Sequence, residues 1–431
     1  MAPGQRSPLS KPIVSRCISL ALAGCLGSST ASAAADPRAL TETEALERAL
    51  TNPSLAELRA GWVGAAKADG LDRAAWQNPS LSYTREQLIG STVLGEDYLT
   101  LSQQFDLSGR RSLARQAAAQ REGAAGHSAD AVLLEFKAEV RRRFYRLLHA
   151  QRRQASLSAW HGRVGQRLEA VVAREAAGDA AAYDRVRLEQ ELTAIEARMA
   201  KEGAGKAKAW ALLRALVDGA SPEERGGWSR AEPRLTGELL PSRSGLAKQD
   251  AVDQLTDLPS AKAREAEARA LRLDARGSSR WWVPNPSVGA GYKGVDLGGG
   301  ARANGFVFTL SIPLPAFDRR RGDRTRAVAQ SQSLGAQTNL AAAEARGQAA
   351  GLWEELNHLS AAAQTLAQDG GRQSEALLAA VEAGYLGGEI GVMELLDAYR
   401  SATSTDLMVL DLAMDARRAE IDLSRLTETA T

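Results

Sequence analysis

The chain has 431 residues, 44% hydrophobic but only 5% aromatic, with 54 Lys and Arg against 52 Asp and Glu and two cysteines. So few aromatics suit long helices packed through small side chains better than one large compact core. The slight basic excess sits at the N-terminus, where Arg6, Lys11 and Arg16 have no acidic counterpart, so no net charge recruits nucleic acid. After residue 25 there is no run of 18 apolar residues, which excludes a transmembrane helix in the mature chain and leaves a β-barrel as its one way across a membrane.

The first expected element is a secretory leader. Arg16 closes a basic stretch, and Ile18 to Ala23 form a short apolar segment. Ala31-Ser32-Ala33 offers a small-residue cleavage site, which makes 1–33 a signal peptide. Leu22-Ala23-Gly24-Cys25 equally fits a lipobox, with 1–24 a lipoprotein signal and Cys25 the acylated first residue. Both processing routes stay open. Cys17 and Cys25 both lie here, so the mature body brings no disulfide, thiol nucleophile or Cys metal ligand.

Proline placement then sets the organisation. None occurs between Pro79 and Pro222 or after Pro315, so 110–217 and 319–428 are expected to be nearly continuous helix. Gly178 divides the first; Gly384, Gly387, Gly388 and Gly391 divide the second. Arg110 to Ala177 and Arg319 to Leu386 are each 68 residues, about 100 Å of helix at ~1.5 Å per residue. Val132, Phe136, Val140, Phe144 and Leu147 mark an apolar stripe on the first of these helices. The adjoining Arg141, Arg142, Arg143 and Arg146, with Glu135 and Glu139 nearby, read as a solvated face.

Ahead of each long helix lies a pair of alternating segments. Leu81 and Tyr83, then Leu99, Leu101, Gln103 and Phe105, alternate with small or polar residues. Val288, Ala290 and Tyr292, then Phe306, Phe308 and Leu310, repeat the pattern, with Gly298-Gly299-Gly300 between them. Such segments fit transmembrane strands, and equally soluble hairpins. Four strands cannot close a barrel, so a membrane reading requires oligomerisation.

The chain duplicates itself. Asn78-Pro79-Ser80-Leu81 recurs as Asn285-Pro286-Ser287-Val288, and Gly178-Asp179 before Asp184 recurs as Gly388-Glu389 before Glu394. The expected units are a first repeat over 36–217, a linker over 218–242 and a second repeat over 243–431.

On this plan, the chain resembles the TolC-type outer-membrane factors, exit ducts of bacterial efflux and secretion systems. The likeness is carried by the Asn-Pro-Ser strand entries, Leu101-Ser102-Gln103-Gln104-Phe105-Asp106-Leu107-Ser108-Gly109-Arg110-Arg111, and Ala383-Gly384-Tyr385 followed by Val392 to Ala398. The short loops and paired entries look most like the cobalt–zinc–cadmium heavy-metal efflux branch. The resemblance implies a mainly α fold with a membrane β-barrel: a homotrimer whose twelve-stranded barrel sits in outer-membrane lipid above a periplasmic helical tunnel. It implies a periplasmic adaptor and an inner-membrane RND-type pump as partners, and no cofactor.

The family's constriction maps onto Glu394 and Asp397, which threefold symmetry would turn into rings of negative charge; read alone, the pair is an ordinary solvated helix face. Tyr385 matches the tyrosine of a polar lock, whose arginine position holds Ile390, so an apolar constriction or other contacts are expected. Gly178, Asp179 and Asp184 at one tip, and Gly387, Gly388 and Glu389 at the other, would meet the adaptor. The competing reading is a periplasmic coiled-coil adaptor or scaffold without a channel, which leaves the duplicated strand pairs unexplained. An enzyme is not expected. His127, His149, His161 and His358 lack zinc-site spacing and read as helix-surface residues, and no nucleophile elbow or phosphate loop is present.

Overall fold

The computed structural model describes residues 39–88, 94–179, 181–218, 232–241, 258–297 and 299–427. The leader with Cys25, most of the 218–242 linker and Gly298 lie outside these residues.

Strand β1 (Ala39–Leu40) leads into α1 (Glu42–Leu50), which begins with a capping box between Thr41 and Glu44. Asn52 caps α2 (Pro53–Ala74), with proline in its first turn, where a missing N–H costs nothing. Strands β2 (Ser80–Leu88) and β3 (Leu94–Gln104) follow, then α3 (Arg110–Ala177), α4 (Ala182–Val217) and β4 (Arg234–Leu235). Next come α5 (Pro259–Ser279), β5 (Ser287–Asp296) and β6 (Arg302–Ser311). The chain ends in α6 (Arg321–Thr365), a π-turn at Leu366–Gly370, α7 (Gly371–Leu386) and α8 (Val392–Thr427).

Helix α3 has the expected bounds. The second long helix does not. It starts at Arg321 rather than Arg319, and the π-turn interrupts it. Gly384 does not break it either, since α7 runs through to Leu386.

The large sheet is antiparallel in the order β2-β3-β5-β6. Its register sets Leu81 opposite Leu101, Leu99 opposite Tyr292, and Tyr292 opposite Phe306. One face therefore carries Leu81, Tyr83, Leu99, Leu101, Tyr292, Phe306, Phe308 and Leu310, all exposed. The other carries Ser82, Thr100, Ser102, Gly289, Gly291 and Thr309. Among the described residues nothing packs on the apolar face: Phe306 and Phe308 are 85% and 82% exposed. The strands have 9, 11, 10 and 10 residues, the length a tilted transmembrane strand needs.

Among the described residues the helices bury three apolar clusters. One joins α1, α3, α4, α8 and the β1–β4 pair around Phe144, Leu147 and Leu213. Another joins α6 to α8 around Ala349, Leu356 and Ala416. The third lies near the α3–α4 and α7–α8 turns.

The arginines of α3 depart from expectation. Arg141 pairs with Glu42 at 2.5 Å and Glu420 at 2.9 Å, and Arg142 with Asp422 at 2.6 Å. Arg143 donates to Glu139 and the Leu212 carbonyl. Arg141, Arg142 and Arg143 are half-buried between helices instead of forming a solvated face, because Glu42 of α1, Glu420 and Asp422 of α8 and the Leu212 carbonyl of α4 reach them from far off in sequence, while Arg146 stays exposed as expected. His149 is likewise half-buried, 2.9 Å from Asp411, and burial pushes its pKa down.

Candidate constriction at the hairpin ends

Helix α3 stops where Gly178 takes a left-handed conformation, φ 85°, and the Asp179 amide donates back to the Arg174 carbonyl at 2.8 Å. This is the glycine-terminated stop of a long helix. Asp184 sits in the first turn of α4, where a carboxylate favours the helix dipole. Arg185 ties the turn shut, reaching Glu175 at 3.0 Å and Glu189 at 2.8 Å.

The second hairpin turns through Gly387 to Gly391. Gly388 supplies the left-handed residue, φ 73°, and the Glu389 amide donates to the Gly384 carbonyl at 2.9 Å. Ile390 folds back over Gly384 so closely that a Cβ there would lie 2.5 Å from Ile390 Cδ1. That is why Gly384 is a glycine although it lies inside α7.

Both hairpins share one core: Leu157, Trp160 and Val164 of α3, Leu188 and Ile195 of α4, Tyr385 of α7, and Leu395, Leu396 and Tyr399 of α8. Tyr385 is buried in it, and burial, then the negative charge of Asp184, pushes its phenol pKa up. Tyr385 and Ile390 thus take apolar positions, without the polar lock that a tyrosine–arginine pair would make.

Polar clasps lie farther along the helices. Tyr399 donates to Glu382 at 2.6 Å, while Arg167 donates to the Tyr399 hydroxyl at 3.2 Å and pairs with Glu382 at 3.1 Å. Burial pushes the Tyr399 phenol up; the Arg167 bond opposes the shift and the Glu382 bond adds to it. Arg400 grips Glu191, whose side chain is 4% exposed, by donating from Nε to one carboxylate oxygen and from Nη2 to the other. Sequence reading missed these five residues. Glu191 alone left a trace, as a carboxylate within the buried stripe Leu188, Glu191, Ile195.

Glu394 and Asp397 project from the opposite side of α8. Both are exposed while Leu395, Leu396, Ala398 and Tyr399 are buried, as a spacing of three on an amphipathic helix dictates. With Leu377, Val381, Met393 and Ser401 they border a groove of about 500 Å³. Gly178 and Asp179 lie exposed at the first turn and Gly387, Gly388 and Glu389 at the second, with Asp184 half-buried. Among the described residues, no group of three or more His, Cys, Asp or Glu side chains is placed to hold a metal ion.

No family model matches the chain. The cobalt-zinc-cadmium resistance protein CzcC of Cupriavidus metallidurans is 26% identical over 357 residues, spanning 81% of this chain and 80% of that protein. The nickel-cobalt-cadmium resistance protein NccC of Alcaligenes xylosoxydans xylosoxydans is 24% identical over 358 residues, spanning 82% and 76%. Among solved structures, the transmembrane channel protein CusC superposes with a TM-score of 0.71 at 18% identity, over 90% of this chain and 91% of that one.

Proposed function

Taking the chain as a TolC-type outer-membrane factor, in sequence likeness and in fold, we propose that it is the passive exit duct of a tripartite efflux system. One observation carries the reading. A sheet with an uncovered apolar face stands at one end of a 68-residue helix, and exposed carboxylates occupy the hairpin ends at the other. At about 1.5 Å per residue that helix spans about 100 Å, enough to join a membrane wall to a distant constriction.

Three copies would join their four-stranded sheets into twelve strands, removing the open edges of β2 and β6 that lipid does not tolerate. The duct then lies in the outer membrane with its helices in the periplasm. It supplies no energy; an inner-membrane RND-type pump and a periplasmic adaptor drive it. The adaptor meets the tips at Gly178, Asp179, Asp184, Gly387, Gly388 and Glu389, beside the exposed apolar Tyr183, Val186 and Leu386. Heavy-metal cations are the proposed cargo, on the likeness to CzcC and on the rings that Glu394 and Asp397 would form.

The test is the membrane fraction and native mass of detergent-extracted mature protein. A trimer from the outer membrane is expected. A soluble periplasmic monomer would overturn the duct and leave a helical scaffold carrying a small sheet.

A further inference from the structure

A second region draws charge together without neutralising it. Where the sheet gives way to the helices, a cavity of about 610 Å³ lies among the ends of α2, α3, α5 and α6. Five arginines line it, Arg73, Arg110, Arg121, Arg320 and Arg326, against Glu267, Asp274 and Asp323. Glu267 and Asp274 both hold Arg121, and Asp323 holds Arg326 at 3.2 Å. Arg73, Arg110 and Arg320 are left with no free lining carboxylate.

Neutral oxygens position Arg110: Nε donates to Ser108 Oγ at 2.7 Å and Nη2 to the Val283 carbonyl at 2.9 Å. Burial, then the positive charge of Arg320, holds its pKa below the ordinary value, with the nearby Asp106 carboxylate opposing the shift. Arg320 is the one non-glycine residue at positive φ, 47°, among the described residues, a backbone state that glycine adopts without penalty. In the same wall, Arg121 Nη1 is buried with no hydrogen-bond partner. Arg110 is half-buried while Arg73 and Arg320 reach solvent at the rim; like charges gathered at one site still repel, and the buried Arg121 donor left unmade is costly. An anion rich in acceptor oxygens relieves both, and guanidinium forks fit phosphate oxygens in particular.

We propose that this cavity binds a phosphate-bearing anion between Arg73, Arg110 and Arg320. The connections around it expose Trp76, Trp282, Leu314 and Phe317, the amphipathic surround that suits a lipid phosphodiester at a membrane interface. A soluble phosphate offers the same oxygens, so the experiment separates the two sources.

The full mature protein in nonionic detergent is titrated in parallel with phosphatidylglycerol, with diacylglycerol of the same chains as a control, and with inorganic phosphate. Binding is read by native mass spectrometry and by the shift in Tm. Retention of phosphatidylglycerol at least tenfold over diacylglycerol assigns a lipid headgroup; saturable binding of phosphate alone assigns a soluble anion. In either case Arg320→Gly and Arg73→Ala each weaken binding at least tenfold, while Arg320→Gly raises the Tm of the ligand-free protein by relieving its backbone. No binding of either probe, binding indifferent to both substitutions, or a lowered ligand-free Tm in Arg320→Gly would each overturn the site.

Discussion

The two hairpins reverse the chain at the same end of the molecule but are built differently. The α3–α4 hairpin has an unbroken 68-residue arm, one left-handed glycine, and an arginine tying its turn to both helices. The α7–α8 hairpin has a π-turn in its incoming arm, Ile390 seated directly on Gly384, and a turn containing three glycines. A π-turn widens the helix locally and breaks the regular ladder. Gly370 sits in it so tightly that a Cβ would lie 2.9 Å from Leu366 Cδ1 and 3.2 Å from Thr405 of α8. The first hairpin is thus regular and the second interrupted, and we expect stiffness in the first and compliance in the second. The clasps Glu191–Arg400 and Arg167–Tyr399–Glu382 hold the compliant hairpin against the stiff one.

Breaking the deepest clasp should have the largest effect. Arg400→Ala leaves the buried Glu191 carboxylate unpaired, which costs about 3 kcal/mol. Amide exchange in α8 near Arg400 should then speed up about a hundredfold while α3 near Val140 keeps its protection; equal loss at both would deny that the hairpins are separable units. Next comes Gly384→Val, which drives a side chain into Ile390 and should cost about 2 kcal/mol. It should raise the basal conductance of the reconstituted protein, whereas Gly162→Val on α3, where a Cβ meets nothing within 4 Å, should not.

Replacing Glu394 and Asp397 together by Ala tests charge rather than packing. Cation selectivity and block by divalent ions should fall severalfold in bilayer recordings with exchange rates unchanged, and undiminished selectivity would remove both residues from the constriction.

The smallest effect is titrational. The phenols of Tyr385 and Tyr399 are raised above their ordinary 10.0. The stability they contribute is therefore complete below pH 10 and is lost as pH rises through their folded values. Following tyrosinate absorbance in Tyr385→Phe and Tyr399→Phe variants should show that each of these phenols ionises above its ordinary 10.0; ionisation at the ordinary value would mean that the shared core is open.

Local rules made much of this legible. Proline-free stretches and Gly178 bounded α3, and period-two alternation marked the strands whose register now shows one apolar face. The π-turn escaped because inserting a residue in a helix leaves no apolar or proline signature, and Gly370-Gly371 reads like any helix glycine pair. The clasps escaped for another reason: Arg400 and Glu191 stand 209 residues apart, and Arg167 and Tyr399 stand 232 apart. Only the packing of helices from both halves of the chain makes them neighbours. Arg141 and Arg142 departed from the solvated face for the same cause.

The sheet register also fixes an order of events in making the protein. Pairs β2–β3 and β5–β6 are local, and so are the turns joining α3 to α4 and α7 to α8. The β3–β5 seam, by contrast, joins Gln104 to Ser287, so it waits until the ribosome has delivered most of the polypeptide, and non-local pairing of this kind is slow. Until copies meet, the finished sheet offers sticky edges and a greasy face to any other strand. The α3–α4 hairpin is complete before Ser287 is made, so the newborn chain should need protection at its sheet rather than at that hairpin.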